Sequence, residues 1–305
     1  MGNGSTFAQN KQMKAVIFSD LHIHDTMTNI PNHLGNCLEI LETVFETAYE
    51  GSDCIIFCGD LFQQSGNIPL KSLLETTKKL KDLFERYPKP FIAISGNHDQ
   101  SSQNTGSSSL SALQLFDTIF ENFHLIDNKS IIIEGVNIYG IPYHTYPEHL
   151  KDALMGLPYE DIDVLLLHNT PSDISNKNIP VQVDSDLLGM FNQVFVGHIH
   201  KPQLVRPNVL VCGSPKYLDR GDIGDKKFIY LYDSTESPDN RIEVYPTPYN
   251  EVLVPKQPTP VMDVPTNRNY DNYNPTKNTN HDILMAFCKE MQLDDITTKI
   301  GLECI

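Results

Sequence analysis

The chain is short of basic residues. Its 23 Lys and Arg face 39 Asp and Glu, for a formal net charge of −16 at pH 7. Affinity for nucleic acid is driven by neutralising phosphates, so a DNA-binding surface ordinarily carries a basic footprint. Strong DNA binding by this chain alone runs against its charge, and bound cations or a partner would have to supply the rest. The sequence also lacks any apolar run approaching the ~20 residues of a membrane-spanning helix. Its opening residues, Met1-Gly2-Asn3-Gly4-Ser5-Thr6, are small and polar and do not form a signal-peptide pattern. They do fit the loose myristoylation pattern, Gly2 followed by Thr6. No polybasic stretch comes after them, and a single acyl chain anchors weakly, so a flexible leader over residues 1–12 is the expectation. The six cysteines, at 37, 54, 58, 212, 288 and 304, lack zinc-type pair spacing. A reducing, cytoplasmic setting fits them, the host cytoplasm if the source is viral.

What is present is enough apolar sequence for a full core, 40% of the residues. From Lys14 onward, apolar runs alternate with helix-period segments, which predicts an α/β layered sheet. Ala15-Val16-Ile17-Phe18, Ile55-Ile56-Phe57 and Phe91-Ile92-Ala93-Ile94 read as strands buried on both faces. Leu34, Leu38, Leu41, Phe45 and Ala48 recur at helical spacing, as do Leu73, Leu74, Leu80, Leu83 and Phe84. A hairpin is expected from Ile131 to Tyr143, and further strands at 164–167, 194–196, 209–211, 228–231 and 242–245. Residues 100–109 form a polar loop rich in Ser. These signals bound a catalytic domain over 13–247, then a Pro-, Asn- and Thr-rich linker over 248–280. Over 281–305 a helical pattern returns: Ile283, Leu284, Phe287, Cys288 and Met291, then Leu293, Ile296, Ile300 and Leu302.

The chemistry lies just past the end of each strand. The first runs into Asp20-Leu21-His22, the second into Gly59-Asp60 and the third into Gly96-Asn97-His98-Asp99. The run 164–167 ends in His168, and 194–196 ends in Gly197-His198-Ile199-His200. Open α/β sheets bind ligands at that carboxyl edge. Any one Asp or His there is more often a cap or a surface residue. Five strand ends supplying them together point to one site. Carboxylate and amide oxygens mixed with imidazole nitrogens suit a pair of Mn, Fe or Zn ions, and a carboxylate such as Asp60 can bridge them. The histidines at 24, 33, 124, 144, 149 and 281 read as surface or structural residues.

Those motifs, in that order and over residues 14 to about 233, resemble the calcineurin-like metallophosphoesterase family. The resemblance implies a layered sandwich of two mixed β-sheets flanked by helices, here with a short helical C-terminal tail. It implies two divalent cations, Mn foremost and Fe, Zn or Mg as alternatives. Asp20, His22 and His200 would hold one, Asn97, His168 and His198 the other, with Asp60 between. His98 would contact the scissile phosphate, and Asp99 would orient His98 through a hydrogen bond.

Gly59-Asp60-Leu61-Phe62 departs from the protein-phosphatase form of its motif and resembles that of SbcD-type DNA-repair exonucleases and their phage recombination counterparts. So does Val209-Leu210-Val211-Cys212-Gly213-Ser214-Pro215, which leads into Phe228-Ile229-Tyr230-Leu231. This branch implies a nuclease that cleaves DNA phosphodiesters and works with an SbcC-type, SMC-like coiled-coil ATPase. The helical tail is the candidate docking element, and a homodimer stays open. A full capping domain is not expected after residue 246, where much of the sequence is linker-like. The rival readings are a stand-alone phosphatase or phosphodiesterase acting on nucleotides or small esters, and a scaffold without turnover.

Overall fold

The computed structural model describes residues 11–247 except 28, 29, 31, 65, 102–109 and 175–182. Nearly all of the leader, the linker over 248–280, the tail over 281–305 and most of the polar loop at 100–109 lie outside the described residues.

The strands succeed one another as β1 (Lys14–Phe18), β2 (Cys54–Phe57), β3 (Phe91–Ala93), β4 (Phe123–Leu125), β5 (Lys129–Ile133) and β6 (Val136–Ile141). Then come β7 (Val164–His168), β8 (Gln193–Gly197), β9 (Gln203–Arg206), β10 (Val209–Val211), β11 (Phe228–Asp233) and β12 (Ile242–Pro246). They build two six-stranded sheets, ordered β12-β11-β1-β2-β3-β4 and β5-β6-β7-β8-β10-β9. Strands β1 to β4 are mutually parallel, with β11 and β12 added antiparallel. In the second sheet β6, β7, β8 and β10 are parallel, and β5 and β9 close the edges antiparallel. The expected two mixed sheets flanked by helices are what the chain forms.

Side-chain alternation explains why two sheets stack. Successive residues of a strand point to opposite faces, so a strand apolar throughout must be covered on both sides. In β1, Ala15 and Ile17 join Ile56, Ile92, Ile138, Leu166 and Phe195 in the layer between the sheets. Val16 and Phe18 face the other way, onto α1 (His33–Gly51) and α2 (Leu70–Arg86) through Leu41, Phe45 and Leu83. Phe116 of α3 (Leu113–Ile119) belongs to that same outer layer. Beyond the second sheet, Leu165, Leu167, Val194 and Val196 pack on Leu150 and Leu154 of α4 (Pro147–Met155). The order helix, sheet, sheet, helix encloses three apolar layers. Among the described residues no helix is long and apolar enough to cross a membrane.

β4, β9, α3 and α4 add to the elements read from sequence. Each is short, between three and nine residues, and β9 carries mixed polarity (Gln203, Leu204, Val205, Arg206), so neither period stands out.

Phe91 is the pivot of the outer layer. Its ring is fully buried and lies 5.0 Å from that of Phe123, 5.9 Å from Phe45 and 6.0 Å from Phe18. Phe91→Ala should cost about 3–5 kcal/mol, read from urea unfolding as a lower midpoint at unchanged slope. A cost below ~1 kcal/mol would contradict this packing.

Candidate metal centre

Five of the parallel strands, β1, β2, β3, β7 and β8, hand the chain to the site at their carboxyl ends, and main-chain hydrogen bonds lace the loops together. Asp20 N–H donates to the Gly59 carbonyl (2.9 Å) and His22 N–H to the Asp60 carbonyl (3.0 Å). One Asp60 carboxylate oxygen accepts from His98 N–H at 2.8 Å. Both Asp20 oxygens lie 3.1 Å from the His198 N–H. Gly96 has to be glycine, because a Cβ there would fall 2.5 Å from the Asp60 backbone nitrogen and run into its carboxylate. Asp20, His22, Asp60 and His198 all adopt left-handed backbone, at φ of 52°, 51°, 61° and 85°. Asp and His visit that region more readily than most residues, yet four such residues in one place are costly unless the surroundings dictate them, and such strain gathers at functional sites.

Three triads of ligand atoms converge, each with its atoms within 4.8 Å of one another: Asp20, His22 and His200; His22, Asp60 and His98; Asp60, His168 and His198. His22 and Asp60 are each shared by two triads, so the triads form one continuous cluster. Asn97 joins it through its side-chain oxygen, 2.9 Å from His198 Nδ1 and 3.2 Å from His168 Nε2.

The protons in this cluster do not suffice for its acceptors. His168 Nδ1 lies 2.6 Å from the Cys58 carbonyl, so it must carry the proton and donate it there. Its Nε2 then faces Asp60 Oδ2 and the Asn97 oxygen, both at 3.2 Å. Acceptors pointed at one another need a cation or an extra proton between them. His22 presents the same problem: it is 2% exposed, and neither ring nitrogen has a hydrogen-bond partner. Its Nε2 stands 3.6 Å from Asp60 and 3.8 Å from Asp20. A divalent cation such as Mn, Fe or Zn fits such a set of oxygens and imidazoles.

The electrostatics match. Burial works against ionising Asp20 and Asp60, but the His22 imidazole beside Asp20 and the charge of His168 beside Asp60 outweigh it and hold both below the usual carboxylate range. Burial also opposes charge on His168, yet Asp60 raises it to about 9. Burial and the neighbouring His168 push His198 down to about 4, and burial and His22 lower His200, so both stay neutral and free to ligate.

Asp99 does something other than expected. Its two oxygens accept from four backbone N–H groups, of Asp60 (2.7 Å), Leu61 (2.9 Å), Phe62 (3.2 Å) and Gly96 (3.0 Å). The side chain thus clamps the second and third ligand loops together and points away from the His98 ring. His98 is steered instead by the Gln63 carbonyl, 2.5 Å from its Nδ1. Burial and the nearby Asp60 charge push the Asp99 carboxyl up to about 7, against the pull of those N–H donors.

Sequence reasoning missed further members. Gln63 acts through its main chain, which leaves no mark on residue identity. The Tyr143 ring packs 5.4 Å from His198 and 6.3 Å from His168, at the flank of the site. His33 is not a surface residue: it is 1% exposed and its Nε2 lies 2.8 Å from the His22 carbonyl. His24 stays outside the triads and turns to Asp25 and Thr26. His144 is buried but likewise outside them, and His281 lies outside the described residues.

Comparison with known proteins gives the same direction. Residues 13–202 match the calcineurin-like phosphoesterase family. The "DNA double-strand break repair protein Mre11" of Archaeoglobus fulgidus is 22% identical over 72% of this chain and 53% of its own length. The protein of that name from Saccharolobus solfataricus is 28% identical over 70% of this chain and 58% of its own. The matching segment therefore spans little more than half of either relative. A "probable glycerophosphodiester phosphodiesterase GpdQ" of Arcobacter nitrofigilis is 27% identical over 68% of this chain and 75% of its own length. The solved structure of TT1561 from Thermus thermophilus aligns at a TM-score of 0.47 and 14% identity, covering 77% of this chain and 99% of that one.

The clamp at Asp99 yields a direct prediction. Asp99→Asn turns an NH2 group onto two of the four N–H donors and should cost about 3 kcal/mol of metal-free stability, measured by urea unfolding. A cost under ~1 kcal/mol would mean that the four bonds do not hold the loops.

Proposed function

This chain belongs to the calcineurin-like phosphoesterase family, and on that basis we propose that it hydrolyses phosphodiesters with two divalent cations held around Asp60. One observation carries this reading: the Asp60 carboxylate belongs both to the triad with His22 and His98 and to the triad with His168 and His198. Asp20, His22 and His200 would hold one cation and Asn97, His168 and His198 the other, with Asp60 reaching both. When bound, the cations supply Lewis-acid chemistry, neutralising charge on the phosphoryl oxygens and lowering the pKa of the attacking water. Mn is the leading choice.

The protein's own part is to position and to move a proton. His98 Nδ1 is committed to the Gln63 carbonyl, so Nε2 is the nitrogen left for the scissile phosphate. Protonated, it donates a hydrogen bond to a phosphoryl oxygen and then the proton to the leaving oxygen as the P–O bond breaks. The Asp99 clamp fixes the Asp60 and Asn97 loops against each other, so that water, phosphorus and leaving group line up without rearrangement.

For substrate we propose DNA, with this chain as the nuclease subunit of an SbcCD-like repair or recombination complex whose SMC-like ATPase supplies the basic surface that a net charge of −16 denies it. The two Mre11 relatives and the Gly59-Asp60-Leu61-Phe62 and Gly213-Ser214-Pro215 motifs support this. The second reading is hydrolysis of small phosphodiesters. It is favoured by the acidity and by the phosphodiesterase relative, of whose length the match covers 75%.

Assays of the Mn-loaded chain on linear DNA, nucleotides, glycerophosphodiesters and bis-p-nitrophenyl phosphate separate the two. Cleavage of DNA is the expected result. Turnover of the small esters with DNA left intact would replace the first reading by the second. His98→Ala should lower kcat by ~10²–10⁴-fold while calorimetry still counts two Mn per chain. Unchanged turnover would remove His98 from the chemistry.

A further inference from the structure

Two lysines are among the most deeply buried residues of the chain: Lys216 is 1% exposed and Lys227 is not exposed at all. An ammonium group is costly to bury unless its donors are spent on something. Both come after the last histidine of the site, beyond the family match at 13–202. Lys227 Nζ donates to the His200 carbonyl (2.9 Å), to Ser214 Oγ (3.1 Å) and to Asp222 (2.8 Å). The other Asp222 oxygen accepts from the Leu218 and Asp219 N–H groups, which ties down the loop around it. Lys216 Nζ lies 2.5 Å from His33 Nδ1, and His33 Nε2 lies 2.8 Å from the His22 carbonyl. A carbonyl can only accept, so the His33 proton is on Nε2 and Nδ1 accepts from Lys216. The bonds run in one direction, from Lys216 through His33 to the backbone of His22.

Ser214 joins the two arms. Its N–H donates to the same His200 carbonyl (3.1 Å) and its hydroxyl to the Lys216 carbonyl (2.8 Å). The turn that delivers it has Gly213 at φ +70°, where a Cβ would sit 2.8 Å from the His200 carbonyl oxygen. All of this converges on His22 and His200, two members of one triad, the one completed by Asp20. In the other triad, His168 draws on the sheet: it closes β7, and its Nδ1 is held by the Cys58 carbonyl just past β2.

We propose that Lys216, acting through His33, and Lys227, paired with Asp222, are positioning residues that set the main chain of His22 and His200 and so determine the affinity of the Asp20–His22–His200 subsite alone. The proposal rests on the two-cation reading given above. It assigns the Gly-Ser-Pro turn and the segment after it to metal binding and not to contact with nucleic acid. The two subsites are then unequal by construction, one built on strands and the other on a buried lysine scaffold.

Calorimetric titration of the full chain with Mn, alongside thermal unfolding, tests it. Wild type should bind two ions; fewer would overturn the two-cation reading itself, whatever the lysines do. Lys216→Met should weaken one of the two sites by about 10–100-fold and leave the other unchanged. His33→Leu should do the same, and His33→Gln, whose amide N–H can still reach the His22 carbonyl, should recover part of the loss. Leu150→Ala, in the layer beneath α4, destabilises the fold without touching the scaffold and should keep both sites. If Lys216→Met does not fold, the two His33 variants carry the comparison. Equal weakening of both sites, no weakening of either, or no difference between His33→Leu and His33→Gln would overturn the proposal.

Discussion

Acceptors crowd the carboxyl ends of five strands with too few donors to satisfy them, and much of the molecule is arranged to make that tolerable. Asp20 and Asp60 are fully buried, and His22 lies between them without a hydrogen bond. The Nδ1 proton of His168 goes to a backbone carbonyl, so its other ring nitrogen is turned on Asp60 and Asn97. A buried polar group left unpaired costs ~1–3 kcal/mol, and here several lie together. Positive charge in the middle relieves all of them at once. Metal affinity and fold strain are therefore two sides of one arrangement.

Holding that arrangement takes rigid support from three directions. Parallel strands buried on both faces fix where each loop begins. Main-chain hydrogen bonds between the loops, and the four-fold clamp of Asp99, fix where each ligand carbon lies. The left-handed backbone at Asp20, His22, Asp60 and His198 is the cost of turning side chains inward straight after a strand. The buried lysines hold from behind what the sheets do not reach.

The two sheets, and the gathering of Asp20, His22, Asp60, His98, His168, His198 and His200 at one edge, could be read from sequence because an unbroken apolar run leaves little doubt about a doubly buried strand, and its next residues must emerge at the sheet edge. Asp20 and Asp60 follow shortly after such ends, and His168 closes a strand itself. What sequence obscured were contacts with no side-chain signature or a misleading one. Gln63 steers His98 through a carbonyl, which any residue could offer. Lys216 looks like a surface lysine until the helix carrying His33 packs over it. Asp99 sits next to His98 in the chain, and adjacency favoured a pairing, but its carboxylate turns back onto the loop of Asp60. Short elements such as β4 and α3 carry too few residues for a period to emerge.

The central claim is that Asp60 is shared by two cations. Diffraction from Mn-soaked crystals, recorded at the manganese edge, tests it most directly. The account predicts two anomalous peaks about 3.5–4 Å apart, with the Asp60 carboxylate between them, His22 and His200 on one and His168 and His198 on the other. A single peak, or two peaks that do not share Asp60, would contradict it.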